Sequence, residues 1–266
     1  MRNVAHTGSL RVAPASSSRP SVSGRLGTTL RRRRQSLATA LVVLQSARRA
    51  YGVHPRECTV CGFAGRFHAY GAPLRFDALC PQCRSVERHR LLALWLAANR
   101  PQLTGASVMH VAPEPGMSAM IRPLCGRYTT ADAHPGRADR CIDLERITEA
   151  DASYDYVICS HVLEHVYDDR RALRELHRII RPGGAVIVMV PVVEAWPETF
   201  EDPGVVDGSE RELLFGQADH LRMYGRDIRE RITNAGFDLE EFTATEPEVS
   251  RHALWRGETI FVARHP

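Results

Sequence analysis

After residue 105, hydrophobic and polar positions alternate between two patterns, one typical of strands and one typical of helices. Short apolar runs predict strands at 107–112, 127–132, 140–147, 154–160, 185–191, 238–244 and 258–264. Apolar residues at helical spacing lie between them, most clearly at 168–180 and 225–237, and Pro182 with two glycines is expected to end the first of these helices. The alternation predicts an α/β fold, a Rossmann-like, doubly wound, mostly parallel sheet with helices on both faces.

Two further stretches stand out by their pattern. Residues 84–101 have the spacing of a helix that Pro101 ends. Its basic side chains either hold an anionic ligand or form a solvated or domain-contacting face; they are Arg84, Arg88, His89 and Arg90. Residues 192–222 exceed the usual length of a connection, which favours a lid or a substrate-binding role.

Charge is distributed unevenly along the chain. Residues 1–50 carry ten arginines and neither Asp nor Glu, whereas the rest of the chain holds 25 basic and 31 acidic residues. The chain has no lysine, which excludes a lysine Schiff base or a lysine general base. The apolar run at 37–44 is too short to span a bilayer, so we expect a cytoplasmic protein without a membrane partner.

Four of the seven cysteines form two Cys-x2-Cys pairs that are eighteen residues apart. Two such pairs can complete a closed tetrahedral shell around one metal ion. The spacing predicts a structural zinc ribbon, with paired disulfides or a redox dithiol as the alternatives. The predicted ligands are Cys58, Cys61, Cys80 and Cys83, whereas Cys125, Cys141 and Cys159 are expected to be small core residues.

These patterns divide the chain into four predicted regions. They are a disordered basic leader (1–29), a helical lead-in (30–53), a zinc-ribbon module with its linking helix (54–101) and a ligand-binding α/β domain (102–266).

Polar side chains close several of the predicted strands. They are Glu114, Asp132, Asp143, Ser160 and His161. In an open parallel sheet, ligands bind beyond the carboxyl ends of the strands, where the strand order reverses. The series therefore predicts a ligand site at this edge, although a single strand-terminal Asp usually caps a turn.

The segment YDYVICSHVLEHVYDDRRALRELHRIIRPGGAVIVMVP (154–191) resembles the region after the fourth strand of class I S-adenosylmethionine-dependent methyltransferases, type 11-like. The order of "HVLEHV", an acidic pair, a helix, "RPGG" and a strand carries the resemblance. Residues 211–237 also look like the late segment of a methyltransferase subgroup, and the resemblance covers about residues 54–264. It implies a methyltransferase that uses S-adenosylmethionine.

The resemblance also places the turn after the first strand. His110 stands where the family has an acidic strand residue, and Ala112, Glu114 and Gly116 stand at its three glycines. Glu114 would either bind the ammonium group of S-adenosylmethionine or be structural, and Gly116 would keep a close backbone approach possible. Because the turn is altered, a chain that has lost the cofactor is an alternative.

The resemblance to the methyltransferase family also implies the remaining cofactor contacts. Asp132 would bind the ribose hydroxyls, since a carboxylate accepts two donors in one plane. Asp143 would lie near the adenine amino group, and Ser160 and His161 would border the methionine end of the cofactor.

Methyl transfer to a protonated hydroxyl or amine needs a base. His220 and His165 are the candidates because an imidazole accepts a proton near neutral pH, and each has a packing role as its alternative. His220 is expected to be the more exposed of the two. Substrate contacts are predicted at Trp196, Arg222 and Tyr224.

Three functions follow from these observations. We favour a methyltransferase that acts on a small-molecule or glycan-type metabolite. The alternatives are an rRNA or protein methyltransferase that uses the zinc ribbon for recognition, and a zinc-binding scaffold without catalysis. The acidic balance outside residues 1–50 argues against RNA, and the sequence leaves the oligomeric state and the methylated atom open.

Overall fold

A seven-stranded sheet organises the part of the chain that the computed structural model describes, residues 52–71 and 73–266. The predicted leader (1–29) and all but the last two residues of the predicted lead-in (30–53) lie outside the described residues. The described residues belong to one compact unit, Ala50–Pro266.

Two short hairpins and two helices come before this sheet. Their bounds are β1 (Arg56–Glu57), β2 (Ala64–Gly65), β3 (His68–Tyr70), β4 (Arg75–Leu79), α1 (Glu87–Ala98) and α2 (Arg100–Leu103). The pairs β1–β2 and β3–β4 are antiparallel. The predicted helix at 84–101 is therefore divided, and Pro101 lies in the first turn of α2, where its missing amide hydrogen is tolerated.

The module formed by these hairpins has a small core of its own. Cys58, Phe67 and Cys80 are its buried apolar residues, and two of these three are cysteines. Burial on this scale stabilises a fold weakly, so such modules usually need a metal, disulfides or a larger neighbour.

Arg90 on α1 joins the module to the end of the chain. Its side chain is fully buried, and its guanidinium donates to the carbonyls of Ala78 and Ser85 at 2.9 and 2.8 Å. The same group donates to the carbonyls of His252 and Ala253, both at 2.7 Å. Four backbone acceptors thus replace the water that a buried guanidinium loses.

The seven strands of the central sheet are β5 (Ser107–Val111), β6 (Arg127–Asp132), β7 (Arg140–Cys141), β8 (Tyr154–Ser160), β9 (Ile180–Met189), β12 (Asp238–Thr243) and β13 (Thr259–Arg264). Their order in the sheet is β12-β13-β9-β8-β5-β6-β7. Strand β13 is antiparallel to both of its neighbours, and the other pairs are parallel. The strand order reverses between β5 and β8, which is where this type of sheet binds ligands.

Helices cover both faces of the sheet. They are α3 (Pro115–Ile121), α4 (Asp169–Ile179), α6 (Ile228–Asn234) and α7 (Glu248–Arg251), with 3-10 turns at Arg122–Leu124 and Leu163–His165. The alternation of β8 separates the two cores: Val157 and Cys159 pack with α4 and α6, whereas Tyr156 and Ile158 pack with α1 and α3. None of the described helices combines the length and the apolarity needed to cross a bilayer. The predicted doubly wound α/β fold is confirmed.

Two connections differ from the prediction. Strand β9 begins at Ile180, directly after α4, so the "RPGG" stretch belongs to the strand. A Cβ atom on Gly184 would lie 2.4 Å from the carbonyl of Asp155, which explains the need for glycine at this close approach. The predicted third strand, 140–147, shortens to β7, and the predicted helix at 225–237 shortens to α6.

The predicted long loop at 192–222 contains regular structure. A short strand β10 (Phe200–Glu201) pairs with β11 (Arg222–Met223), and α5 (Gly208–Phe215) lies between them. The side chain of Asp207 accepts hydrogen bonds from two amides in the first turn of α5, and Gly216 ends the helix with φ of +84°. We call residues 192–227 the insert.

Candidate active site

The turn after β5 keeps the shape of a glycine turn without its first glycine. Ala112 has φ of +47°, and its amide donates to the carbonyl of Ala131 at 2.8 Å. This left-handed conformation costs a non-glycine residue about 1–2 kcal/mol. Gly116 is exposed in the first turn of α3, and a Cβ atom there would meet only the carbonyl of Cys83, at 3.9 Å. The turn therefore remains open to a ligand.

Glu114, in this turn, is bound by two basic side chains from α1. Its Oε1 lies 2.9 Å from Nε2 of His89 and 3.3 Å from a guanidinium nitrogen of Arg88. Burial raises the pKa of Glu114, but the bond to His89 and the charge of Arg88 outweigh it and lower the pKa to about 2. The carboxylate is therefore ionised. The basic face of α1 contacts the α/β domain, which is one of the two roles predicted for that face.

His110 is an uncharged residue at the position where the resembled family has an acid. It is fully buried, and Nδ1 lies 2.8 Å from the hydroxyl of Tyr128, which itself donates to Ser118 at 3.0 Å. Nδ1 is thus the donor. Nε2 has no hydrogen-bond partner among the residues that the structure describes, and it lies 3.9 Å from Oε2 of Glu114. Burial lowers the pKa of His110 to about 4, so the ring is neutral at neutral pH.

Two aspartates lie at the carboxyl edge of the sheet beyond β6 and β7. Asp132 accepts from the amide of His134 at 2.8 Å and lies 3.1 Å from its ring, both through Oδ1. Asp143 is exposed and accepts from the amide of Glu145 at 2.9 Å. Each aspartate thus shapes a turn with one oxygen and leaves the other free of hydrogen bonds within the described residues. Their roles toward a cofactor stay predictions.

Ser160 and His161 follow β8 at the reversal of strand order. Ser160 is buried, with Oγ 3.8 Å from the sulfur of Met189. His161 has φ of +55°, a strained conformation for a residue other than glycine. Its Nδ1 lies 3.2 Å from Oε1 of Glu164. The strained backbone at His161 therefore directs the imidazole ring of this residue toward a cavity.

A cavity of about 750 Å³, the main cavity, lies between the cysteine module, the end of β8 and the insert. Arg88 and His89 line it from α1, His161 from the sheet, and His220 from the insert. A second cavity of about 330 Å³ shares His161 and Glu258 with it. The partners of Glu114 thus also line the cavity that His161 and His220 face.

The two predicted bases lie side by side. The rings of His165 and His220 are 4.8 Å apart, and His220 donates from Nδ1 to the carbonyl of Phe215 at 2.9 Å. Burial lowers the pKa of His220, so Nε2 is an acceptor at neutral pH. The expectation that His220 is the more exposed ring is wrong: it is 3% exposed, whereas the His165 side chain is 31% exposed. Other residues of the insert cover His220, whereas His165 lies in a 3-10 turn at the surface.

Sequence reasoning missed two carboxylates here. Glu164 is fully buried, and neither of its oxygens takes part in a hydrogen bond with the described residues. Glu258 lines both cavities, its Oε2 has no hydrogen-bond partner in the same part of the chain, and burial raises its pKa to about 7. Glu164 could have been found from its place between His161 and His165 in "HVLEHV". Glu258 has no sequence signal, because only the fold brings the start of β13 to the cavity.

The three residues predicted to contact the substrate do not line the main cavity. The Arg222 guanidinium is buried and donates to Glu201 and to the carbonyls of Leu163, Val166 and Tyr167. Tyr224 is fully buried and donates to Asp169 at 2.9 Å. Both side chains fix the segment that carries Glu164 and His165, and a contact of either with a substrate stays a prediction. Trp196 is 39% exposed and packs edge-on against Phe200, outside the main cavity.

The four paired cysteines meet in space. The sulfur atoms of Cys58 and Cys83 are 3.6 Å apart, those of Cys61 and Cys80 are 3.7 Å apart, and all four lie within 4.8 Å of one another. A tetrahedron of sulfurs around zinc has edges of about 3.8 Å, because each Zn–S bond is about 2.3 Å. The seven cysteines of the chain are free thiols. Of the three predicted to be core residues, Cys159 is buried, Cys125 is half-buried, and Cys141 is exposed at the edge of the sheet, so that expectation is wrong for Cys141.

Residues 92–188 match the family model described as "Methyltransferase domain". The match identifies this stretch as a methyltransferase domain. The matched part of this domain runs from α1 through β9 and holds Glu114, Asp132, Asp143, Ser160 and His161. The cysteine pairs, His220 and Glu258 lie outside the match.

Two proteins that are similar to part of this chain are named as methyltransferases. A demethylmenaquinone methyltransferase of Chlorobaculum parvum is 28% identical over 102 residues, which is 38% of this chain and 39% of the relative. A probable S-adenosylmethionine-dependent methyltransferase of Mycolicibacterium smegmatis is 27% identical over 123 residues, or 46% of this chain and 41% of the relative. The chain thus spans about two fifths of the length of these two relatives.

One solved structure similar to the methyltransferase domain is an S-adenosylmethionine-dependent methyltransferase from Mesorhizobium loti. It has 19% sequence identity and a TM-score of 0.46, and the match covers 65% of this chain and 96% of that one.

Proposed function

We propose that the chain is an S-adenosylmethionine-dependent methyltransferase that acts on a small-molecule or glycan-type metabolite. The cavity of about 750 Å³ beside His161 carries this proposal. Its size falls in the range of pockets that enclose small ligands, and it adjoins the point where the strand order reverses. The name of the Chlorobaculum parvum relative, which specifies demethylmenaquinone, also supports a small-molecule acceptor.

The cofactor would lie along the carboxyl edge of the sheet. Glu114 and Gly116 would face its methionine end together with Ser160 and His161, while the free oxygens of Asp132 and Asp143 would accept from the ribose and the adenine. Glu114 supports this arrangement because its low pKa keeps a negative charge available to an ammonium group. Bound S-adenosylmethionine supplies an electrophilic methyl group on a sulfonium.

The protein's contribution to methyl transfer is mainly alignment. The acceptor atom forms a bond to the methyl carbon as the carbon–sulfur bond breaks and sulfur takes back its electron pair. A hydroxyl or protonated amine also gives up a proton, and His220 and Glu258 line the cavity where an acceptor would bind. Both support base catalysis, since His220 is neutral at neutral pH and Glu258 has a pKa of about 7. His165, beside His220, is the other predicted base.

The four-cysteine cluster is proposed to hold a structural zinc ion. The sulfur–sulfur distances and the small module core support this, because four thiolates leave no position for water and would supply the stability that three buried residues do not. Zinc would thus fold the module that presents Arg88 and His89 to the cavity.

Calorimetric titration with S-adenosylmethionine tests the proposal before any acceptor is known. We expect one site per chain, with competition by S-adenosylhomocysteine. A chain that binds neither would instead be a scaffold, and one that binds a nicotinamide dinucleotide in their place would overturn the assignment. An RNA mobility shift that is sensitive to salt and persists after removal of residues 1–50 would replace the small acceptor with RNA.

A further inference from the structure

A buried carboxylate and two imidazoles form a second polar cluster, separate from the cysteines. Glu164, His165 and His220 each place one ligand atom within 4.8 Å of the others. The Glu164 side chain is fully buried, and neither carboxylate oxygen takes part in a hydrogen bond with the described residues, although Nδ1 of His161 lies 3.2 Å from Oε1. A buried carboxylate that lacks hydrogen bonds is strongly unfavourable, so a bound cation would stabilise this cluster.

Both histidines are oriented to supply a lone pair. His220 donates from Nδ1 to the carbonyl of Phe215 at 2.9 Å, and Nδ1 of His165 lies 3.2 Å from the carbonyl of Asp219. Each Nδ1 is directed to a backbone oxygen, so Nε2 is the ring nitrogen that a metal ion could approach. Metal-binding histidines are commonly held in this way, with the other ring nitrogen donating to a carbonyl or carboxylate.

The cluster adjoins the main cavity. His220 lines that cavity, and so does His161, whose Nδ1 lies 3.2 Å from Oε1 of Glu164. An ion at the cluster would therefore have protein ligands on one side and the cavity on the other. This differs from the cysteine site, where four sulfurs close the shell.

We propose that Glu164, His165 and His220 bind a divalent first-row transition ion whose remaining positions face the cavity. One carboxylate with two imidazoles is a donor set of such ions, whereas Mg²⁺ and Ca²⁺ favour oxygen ligands throughout. An acceptor oxygen on an open position would be polarised and made easier to deprotonate. That use of the ion rests on the proposed methyl transfer, whereas ion binding does not.

Mn²⁺ is the probe, because it is paramagnetic and has a low preference for the thiolates of the cysteine module. The full chain, with its zinc content measured, is titrated with Mn²⁺ without cofactor or acceptor, and the signal of free Mn²⁺ is followed by electron paramagnetic resonance. We expect one bound Mn²⁺ per chain. The variants Glu164→Gln and His220→Ala should weaken its affinity by at least ~10-fold. The exposed controls Glu230→Gln and His54→Ala should bind as the parent does.

Thermal unfolding separates a lost ligand from a damaged fold. Without Mn²⁺, Glu164→Gln should unfold at the parent temperature or above it, because it replaces a buried carboxylate that lacks hydrogen bonds with a neutral group of the same shape. With Mn²⁺, only the parent and the controls should gain stability. A parent that fails to bind Mn²⁺ at millimolar concentration, or a Glu164→Gln variant that binds it equally well, would refute the ion site. Calorimetry with S-adenosylmethionine on the same samples decides the proposed function independently.

Discussion

Nε2 of His89 lies 2.9 Å from Oε1 of Glu114, so a side chain just after the cysteine module holds the turn where the cofactor is proposed to bind. His89 is on α1, only six residues after Cys83. The cysteine cluster and the turn after β5 are therefore coupled through the bonds that His89 and Arg88 form with Glu114. Disturbance of the module should reach the cofactor site through Glu114.

Replacement of a cysteine ligand tests this coupling. Cys80→Ser should lower the zinc content below about half an equivalent and lower the unfolding temperature, since a structural metal contributes folding free energy. Cofactor affinity should fall with it. Metal analysis, thermal unfolding and calorimetry measure the three effects. The exposed Cys141→Ser is the matched control and should leave all three unchanged; full zinc retention in Cys80→Ser would contradict the assignment.

Asp132→Ala tests whether Asp132 binds the ribose of the cofactor. Loss of a carboxylate that accepts from ribose hydroxyls should weaken S-adenosylmethionine binding by about 1.5–3 kcal/mol, as for other hydrogen bonds to charged groups. Calorimetry measures the change. Asp238→Ala, on an exposed position of β12, controls for a general loss of charge. Parental affinity in Asp132→Ala would show that the ribose lies elsewhere.

The pH dependence of turnover separates the two candidate bases. A base acts only when unprotonated, so turnover should fall as the pH drops below its pKa. For Glu258 that limb lies near pH 7, and for His220 it lies below the ordinary histidine value, because burial lowers its pKa. Replacement of the responsible residue by Glu258→Gln or His220→Ala should reduce turnover by roughly 10²–10⁴ at constant cofactor affinity.

The two variants also distinguish base catalysis from ion binding. Glu258→Gln should leave Mn²⁺ affinity unchanged, whereas His220→Ala should reduce it if His220 is an ion ligand. His165→Ala completes the set. Near-parental turnover in all three variants across pH 6–9 would leave alignment as the source of catalysis and remove these residues from the catalytic set.

The buried ring of His110 predicts a loss of stability in mild acid. Its pKa is about 4 in the folded chain against an ordinary value of 6.5, so the unfolded chain takes up the proton first. Stability is therefore complete above pH 6.5 and decreases as the pH falls toward 4. Between pH 7 and 5 the free energy of unfolding should drop by about 2 kcal/mol from this group. Urea unfolding of the parent and of His110→Asn measures it, and an equal drop in both would assign the effect to other groups.

Several elements were predictable because their residues carry a local signal. Strands β5, β6 and β8 are buried or paired along their whole length, so their apolar runs gave bounds within one residue of those observed. The cysteine ligands were predictable because the Cys-x2-Cys spacing fixes the geometry within each turn. The position of Asp132 at a strand end followed from the pattern of β6 alone.

Other features depend on contacts that local sequence does not contain. The helix ends before Pro182 as predicted, but strand β9 already starts at Ile180 because that residue pairs with Tyr154, so Pro182 lies within the strand. His220 is buried because α5 folds over it, and Glu258 reaches the cavity only when β13 inserts between β12 and β9. Long-range pairing and burial set these features.

The buried guanidinium of Arg90 has a consequence for how the chain reaches its final state during synthesis. Two of its four acceptors, the carbonyls of His252 and Ala253, are made more than 160 residues after Arg90 itself. A nascent chain that has already gathered its cysteines would thus hold a charged side chain with half its partners missing. We expect the first-made module to complete its packing only after the last strands have left the ribosome, although domains generally fold in order from the N-terminus.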